Sequence, residues 1–176
     1  MDIYLIRHTA VDVPAGICYG QTDVPLQKTF EEEAEKVKSK LSCFVFDRVY
    51  SSPLSRCTLL AGYCGFPNAR RDNRIKEIYF GKWEMVPFSS FTDEHAKQWF
   101  EDWIHTPAPE GESFMDLYRR VASFLNELHD SGLSSVCVFT HGGVITCARV
   151  FAKQYEIREA FKHIPSYGEI VKITLP

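Results

Sequence analysis

The chain has 176 residues, which is enough for one domain with a substantial hydrophobic core. Hydrophobic residues make up 45% of it and charged residues 24%, and these proportions exclude a mainly disordered protein. The net charge of −3 lacks the basic excess of a general nucleic-acid binder, although a local basic pocket is compatible with it.

No apolar run reaches the roughly 18 residues that span a membrane as a helix. The first eight residues are apolar over too short a stretch for a secretion signal, and they lack its basic start. We therefore expect a cytoplasmic protein with neither a membrane nor a nucleic-acid partner. The six cysteines include no Cys-x-x-Cys pair, which disfavours a zinc site, and Cys137 and Cys147 lie in apolar stretches where we expect them to be buried.

Short apolar runs and helical periodicities alternate along the chain, separated by glycine, proline and polar residues. In chain order they predict a strand at 2–6, a helix at 31–40, a strand at 44–51, a helix at 53–64, a short strand or extended segment at 74–79, helices at 94–104 and 113–129, a strand at 135–140, a helix at 144–155 and a last strand at 169–175. This alternation favours an α/β fold with a mostly parallel central sheet and helices on both faces. We expect a single domain over 1–176, in which 85–110 is a candidate lid or insertion.

Three polar clusters stand where predicted strands end. They are Arg7-His8-Thr9, the segment 51–56 that ends in Arg56, and Thr140-His141-Gly142-Gly143. Ligands of an open parallel sheet bind outside the carboxyl ends of its strands. If the three strands are parallel neighbours, two histidines and two arginines share one cleft.

The residue types in these clusters suit a phosphoryl group. An arginine fork matches phosphate oxygens, and an imidazole is a neutral nucleophile at neutral pH. A second histidine, if protonated, stabilises charge on the transferred group, and a glycine pair at a helix start lets backbone N–H groups approach an anion. Each cluster alone has an ordinary explanation, as a polar strand edge, a solvated arginine or a strand-to-helix turn. Their combination in this order favours a phosphoryl site.

Four segments resemble the motifs of the histidine phosphatase superfamily, also called the phosphoglycerate mutase-like family. Residues 5–9 resemble its Arg-His-Gly/Thr signature, 51–56 its second motif, 77–84 its Glu-x-x-Phe-Gly-x-Trp-Glu segment, and 140–143 its final motif. The motifs occur in the expected order, and the similarity covers roughly 1–155. It implies a phosphoglycerate mutase-like fold.

The resemblance also implies roles for individual residues, in a phosphomonoesterase that acts through a phosphohistidine. His8 is the implied nucleophile, and Glu77 is the group that protonates the leaving oxygen and then accepts a proton from water. The residues implied to surround the phosphoryl group are Arg7, Arg56 and His141, with further hydrogen bonds from Thr9, Gln21 and the backbone N–H of Gly142. No metal or other cofactor is implied. By spacing alone Glu77 is not distinguished, and Glu84 is the rival acid.

Residues 16–26, Gly-Ile-Cys-Tyr-Gly-Gln-Thr-Asp-Val-Pro-Leu, resemble a segment of the alpha-ribazole phosphatases. Those enzymes remove the 5′-phosphate from alpha-ribazole phosphate in cobalamin nucleotide-loop assembly. The substrate's flat benzimidazole makes Tyr19, Phe80 and Trp83 candidates for stacking, although core packing explains Phe80 and Trp83 equally well. Met85 stands where the family has glycine, and the segments 86–90 and 27–31 match the family poorly.

Other functions stay open. Within enzymes, the alternatives are a broad-specificity sugar-phosphate phosphatase and a phosphoglycerate mutase. A non-catalytic phosphate-binding module is an alternative of another class, and so is a metal-binding protein that uses His8, His141 and cysteines. All of these except the metal-binding protein share one expected partner, a small phosphorylated metabolite.

Overall fold

The computed structural model describes residues 1–176, and its centre is one five-stranded sheet. The strands are β1 (Asp2–Arg7), β2 (Arg48–Ser51), β3 (Arg70–Arg71), β4 (Ser135–Thr140) and β5 (Ile170–Thr174), in the spatial order β3-β2-β4-β1-β5. Neighbouring strands from β3 to β1 run parallel, and only β5 is antiparallel, beside β1. The predicted α/β fold with a mostly parallel sheet is confirmed.

Helices cover both faces of this sheet. They are α1 (Phe30–Leu41), α2 (Ser55–Tyr63), α3 (Glu94–Glu101), α4 (Phe114–His129) and α5 (Gly142–Phe151), with 3₁₀ turns at Asn73–Ile75, Gly81–Trp83, Phe88–Ser90 and Ile157–His163. The larger apolar cluster packs α4 and α5 on one face, and a second cluster packs α1 and α2 on the other. None of the helices combines the length and the apolar character needed to cross a membrane.

The sheet can be covered on both faces because its central strands are apolar on both. On β4, Val136 and Val138 belong to the cluster under α4 and α5, whereas Cys137 and Phe139 belong to the cluster under α1 and α2. Cys147 on α5 is also fully buried. Consecutive side chains of a strand point to opposite faces, so an unbroken apolar run serves both layers.

Strand β2 is shorter than the prediction of 44–51. It begins at Arg48, because the Asp47 carboxylate accepts the N–H groups of Ser134 and Ser135 and so ends the preceding turn against the start of β4. The aromatic rings that suggested a longer strand, Phe44 and Phe46, pack on the Tyr4 ring instead.

Other boundaries also differ from the predictions. The segment 74–79 is not a strand: a 3₁₀ turn occupies Asn73–Ile75 and irregular chain follows it. Helix α3 ends at Glu101 rather than at 104. Helix α5 spans 142–151 rather than 144–155, and it ends before Lys153, whose φ of 57° lies in the left-handed region. The two-residue strand β3 carries no periodicity and was not predicted.

The stretch 85–110 contains α3 and packs a small apolar cluster of its own. Trp83 stacks on Phe91 with ring centroids 4.4 Å apart, and Trp99 meets the Trp83 ring edge-on. This cluster includes the buried Cys18, and Phe80 and Trp103 connect it to the larger cluster on the sheet. Trp83 is therefore a core residue, and a lid function of 85–110 stays a prediction.

Candidate active site

The polar clusters meet at one edge of the sheet, because β1, β4 and β2 are parallel neighbours. Arg7 ends β1 and Thr140 ends β4, and the two residues pair across the strands. The residues that follow, His8 and His141, have ring centroids 5.2 Å apart. Beside them opens a cavity of about 320 Å³, into which Arg7, His8 and Glu77 project.

His8 presents a neutral imidazole to this cavity. Its Nδ1 lies 2.8 Å from the carbonyl oxygen of Thr9, so Nδ1 carries the proton and Nε2 keeps its lone pair. Burial lowers the pKa of His8 to about 3, and the charge of Arg56 acts in the same direction. Although His8 is only 2% exposed, its ring borders the cavity as a neutral imidazole rather than as a cation.

Two arginines near His8 have no acidic partner. Neither Arg7 nor Arg56 forms a salt bridge with a carboxylate, and the Nε atoms of both are buried without a hydrogen-bond partner, as is the Thr9 hydroxyl. Arg56 is fully buried, does not itself border the cavity, and donates to the carbonyls of Gly20 and Thr22. Burying an uncompensated charge costs several kcal/mol, roughly. These unused donors therefore mark a site prepared for an anion.

His141 is fully buried, but its surroundings are polar. Its Nε2 lies 2.8 Å from the Ser52 hydroxyl oxygen and 3.5 Å from the Cys57 sulfur. Burial, followed by the charge of Arg56, lowers the pKa of His141 well below its ordinary value. In the unliganded site this ring is neutral and not the cation that the sequence allowed, so it serves as a hydrogen-bonding group.

The Glu77 carboxylate borders the same cavity as His8. One of its oxygens accepts the N–H of Ile78, and the other accepts the N–H of Gly143 in the first turn of α5. A Cβ atom at Gly143 would collide with the Glu77 carboxylate, so glycine here leaves room for that carboxylate against the start of α5. Gly142 also borders the cavity, with its Cβ direction facing the Arg7 guanidinium.

The loop of residues 20–22 is held by Glu84, the rival acid of the sequence analysis. The carboxylate of Glu84 accepts five hydrogen bonds, from the backbone N–H groups of Gly20, Gln21, Thr22 and Phe80 and from the Thr22 hydroxyl. Because the carbonyls of Gly20 and Thr22 receive Arg56, Glu84 orients that arginine indirectly. Glu84 does not border the cavity.

The Gln21 side chain is bound to the backbone of the segment that carries Glu77. Its amide donates to the backbone carbonyl of Glu77 at 3.1 Å, and it does not border the cavity. A contact between Gln21 and phosphate stays a prediction.

We expect Glu84→Gln to lower the free energy of unfolding at neutral pH by roughly 1–3 kcal/mol, because an amide accepts these N–H groups poorly. Burial raises the pKa of Glu84, but the hydrogen bonds from Thr22 and the backbone outweigh it and the net shift is downward. A group with a lowered folded-state pKa stabilises above its ordinary value of 4.5, and this contribution is lost as the pH falls through the folded-state pKa. Urea unfolding should show that the difference in unfolding free energy between variant and wild type is smaller at pH 4 than at pH 7.

Glu32→Gln is the matched control, because that carboxylate is exposed and pairs only with Lys36 one helical turn away. It should leave the unfolding free energy nearly unchanged at both pH values. Equal stability of Glu84→Gln and wild type at neutral pH would contradict the structural role of Glu84.

Two tyrosines close the cavity over the arginines. The Tyr167 ring lies over the Arg7 guanidinium at 4.1 Å, and the Tyr19 ring lies 5.7 Å from that of Arg56. The two phenol oxygens are 2.9 Å apart and share a hydrogen bond. Sequence reasoning singled out Tyr19 but missed Tyr167, which comes from the turn before β5 and belongs to no motif that marks it.

The rest of the cavity wall is apolar. It is formed by Ile17, Phe80, Phe88, Phe114, Leu117, Phe161 and Ile164, together with the two tyrosine rings. Phe80 and Tyr19 are thus placed to touch a ligand, whereas Trp83 is not. Arg7 is the only arginine or lysine that borders the cavity.

Comparisons with known proteins agree with this geometry. A model of the histidine phosphatase superfamily (branch 1) matches residues 3–175. The adenosylcobalamin/alpha-ribazole phosphatase of Salmonella typhimurium is 29% identical over 157 residues, which cover 83% of this chain and 76% of that protein. Phosphoserine phosphatase 1 of Hydrogenobacter thermophilus is also 29% identical, over 72% of this chain and 63% of its own length.

Among solved structures, the alpha-ribazole phosphatase of Shigella flexneri superposes with a TM-score of 0.89 at 23% identity, covering 100% of this chain and 91% of that one. This similarity extends the agreement in fold to the whole molecule. With a family model that spans nearly every residue, and with two histidines beside two unpaired arginines at the sheet edge, the chain belongs to the histidine phosphatase superfamily and is a phosphatase.

Proposed function

We propose that this cavity binds a phosphate monoester and that His8 takes up its phosphoryl group. The observation that carries the proposal is the pair of arginines without carboxylate partners, Arg7 and Arg56, whose Nε atoms lie unpaired around a neutral imidazole. A dianionic phosphoryl group supplies the missing counter-charge and the missing acceptors at once.

The proposed reaction has two steps at this site. In the first, His8 Nε2 attacks phosphorus, the P–O bond to the alcohol breaks, and Glu77 gives its proton to the leaving oxygen. In the second, water attacks phosphorus and gives its proton to Glu77, while the bond between phosphorus and His8 breaks. The covalent intermediate divides one difficult displacement into two easier ones, and proton transfer at the leaving oxygen is worth about 10²–10⁴-fold.

The remaining polar groups bind the phosphoryl oxygens in this proposal. Arg7 and Arg56 hold the charge, His141 donates one hydrogen bond, and the Thr9 hydroxyl and the backbone N–H of Gly142 add others. Of these groups, Arg7 and Gly142 border the cavity, and donors fixed in advance favour the charge that develops in a transition state.

For the substrate we propose alpha-ribazole 5′-phosphate. Its flat, apolar base suits a wall that includes Phe80, Phe88 and Phe161. The phosphoglycerates carry a carboxylate or a second phosphate, for which the cavity offers no cation beyond Arg7. The name of the Salmonella typhimurium relative points the same way. A cytoplasmic location and a small metabolite as partner stay predictions.

We expect purified protein to hydrolyse alpha-ribazole 5′-phosphate with a kcat/KM at least roughly tenfold above that for 3-phosphoglycerate, fructose phosphates or phosphoserine. An apolar pocket of matched shape commonly gives about 10–200-fold discrimination. The measurement is phosphate release by each substrate under identical conditions.

Phe88→Ala and Phe100→Ala are matched variants for this screen. Phe88 borders the cavity, whereas Phe100 is exposed on α3 and does not. Only Phe88→Ala should lower the ratio of kcat/KM for alpha-ribazole 5′-phosphate to kcat/KM for the other substrates. A preference for 3-phosphoglycerate or a sugar phosphate would remove alpha-ribazole as substrate while leaving the phosphatase in place.

A further inference from the structure

Arg120, on the inner side of α4, uses its whole guanidinium for hydrogen bonding. Its Nε and Nη2 atoms bind the two carboxylate oxygens of Glu112, each at 2.8 Å. Its Nη1 donates to the carbonyls of Arg74 and Lys76, and its Nη2 also donates to the carbonyl of Glu77. These five bonds match the five N–H donors that a guanidinium has.

The segment whose carbonyls accept hydrogen bonds from Arg120 has no regular secondary structure after its first residues. After the 3₁₀ turn at Asn73–Ile75, the next residues belong to no helix or strand. Glu112 binds the same segment two residues further on, at Tyr79. Its carboxylate accepts the N–H of Tyr79, and its own N–H donates to the Tyr79 carbonyl. The ion pair of Arg120 and Glu112 is mostly buried, with side chains 17% and 22% exposed.

Glu77 lies within the segment 74–79 that Arg120 and Glu112 hold by hydrogen bonds. Its carboxylate has two local contacts, the N–H groups of Ile78 and Gly143. The distance from the carboxylate to His8 therefore depends on where the backbone at 76–78 is held. A displacement of about 1 Å can cost roughly 10²-fold in a reaction that needs exact alignment.

We propose that Arg120 is the positioning residue for Glu77 and so governs proton transfer to the leaving group. This inference rests on the proposed function of Glu77. Lysine cannot replace the arginine, because its ammonium group has three donors at one point and lacks the planar fork that spans Glu112 and three carbonyls. The charge survives in Arg120→Lys, but the alignment of the segment does not.

The test compares two substrates of similar shape that differ in leaving group. Benzyl phosphate releases an alkoxide that must be protonated, whereas p-nitrophenyl phosphate releases a stable phenolate that leaves without help. Arg120→Lys should lower kcat/KM for benzyl phosphate roughly 10²-fold, and should lower kcat/KM for p-nitrophenyl phosphate only about two- to threefold. The comparison uses kcat/KM because it reports the first step alone, whereas kcat also includes the second step, in which Glu77 serves both substrates alike. A role confined to folding would lower both rates by the same factor.

Arg119→Lys is the matched control, since Arg119 is the next residue on α4, is exposed, and pairs only with Asp116. It should leave both rates unchanged. The double variant Arg120→Lys/Glu77→Gln should be no slower on benzyl phosphate than Glu77→Gln alone, because residues that act through one group are not additive. If Arg120→Lys does not fold, Glu112→Gln provides the same comparison, with a smaller loss in the same direction.

Equal loss on both substrates, no loss on benzyl phosphate, or full additivity in the double variant would overturn the positioning role. If the wild-type protein hydrolyses neither ester, the proposed function itself fails. The two failures are therefore distinguishable.

Discussion

Replacing His8 with alanine is expected to abolish phosphate release, with kcat/KM falling roughly 10⁴-fold or more. The variant keeps Arg7 and Arg56 and therefore still binds an anion, but it lacks the nitrogen that accepts the phosphoryl group. In wild type, acid-free quenching and mass spectrometry should detect one phosphate on the peptide containing His8. Phosphohistidine is acid-labile, so the label should disappear on brief acid treatment.

His105→Ala is the control for this variant, because His105 is exposed and contacts only Asp102. It should retain full activity. Thermal unfolding of His8→Ala shows whether the loss is chemical, since the Thr9 carbonyl loses a hydrogen bond in the variant. Full activity of folded His8→Ala, or a phosphorylated residue elsewhere, would contradict the assignment.

Glu77→Gln is the second variant with a large expected effect. The side chain keeps its size and can still accept an N–H, but it has no proton to give. We expect kcat/KM, which reports the first step alone, to fall about 10²–10⁴-fold for an alkyl phosphate, with a much smaller change for p-nitrophenyl phosphate. Inhibition by inorganic phosphate should stay near its wild-type strength, because the arginines are untouched.

The variant Glu84→Gln tests which of the two candidate acids, Glu77 or Glu84, protonates the leaving oxygen. Since Glu84 is committed to the loop of residues 20–22, its replacement should slow both esters alike and weaken phosphate inhibition through Arg56. If the dependence on leaving group appears in Glu84→Gln rather than in Glu77→Gln, the roles assigned to these two carboxylates are reversed.

The convergence of Arg7, His8 and His141 could be predicted from the sequence, because each of these residues lies where a predicted strand ends. Parallel neighbours finish at one edge, so polar residues that follow buried strands become neighbours in space. The protonation of His141 could not be predicted in the same way. It depends on complete burial beside Arg56, which only the packed structure defines.

Arg120 and Tyr167 escaped sequence reasoning for a related reason. Each reaches the site from an element with no polar cluster, and its importance lies in contacts with residues far away in the chain. A weak signal existed for Arg120, which lies three residues after Leu117 and directly before Val121, both on the buried side of α4, and is itself mostly buried. The strand predicted at 44–46 was wrong for a different reason. The aromatic rings of this segment pack in the structure, but its backbone belongs to no strand.

Strand β1 hydrogen-bonds only with β4 and β5, so it cannot join a sheet before residues 135–174 have been synthesised. Until residues 135–174 emerge, a nascent polypeptide has no sheet in which to place Arg7, and the Pro165 carbonyl that receives this side chain is also absent. Pairings between such distant segments form slowly. We therefore expect chains truncated before residue 165 to be inert and prone to associate, and expect activity to appear only after residues 135–174 have been synthesised.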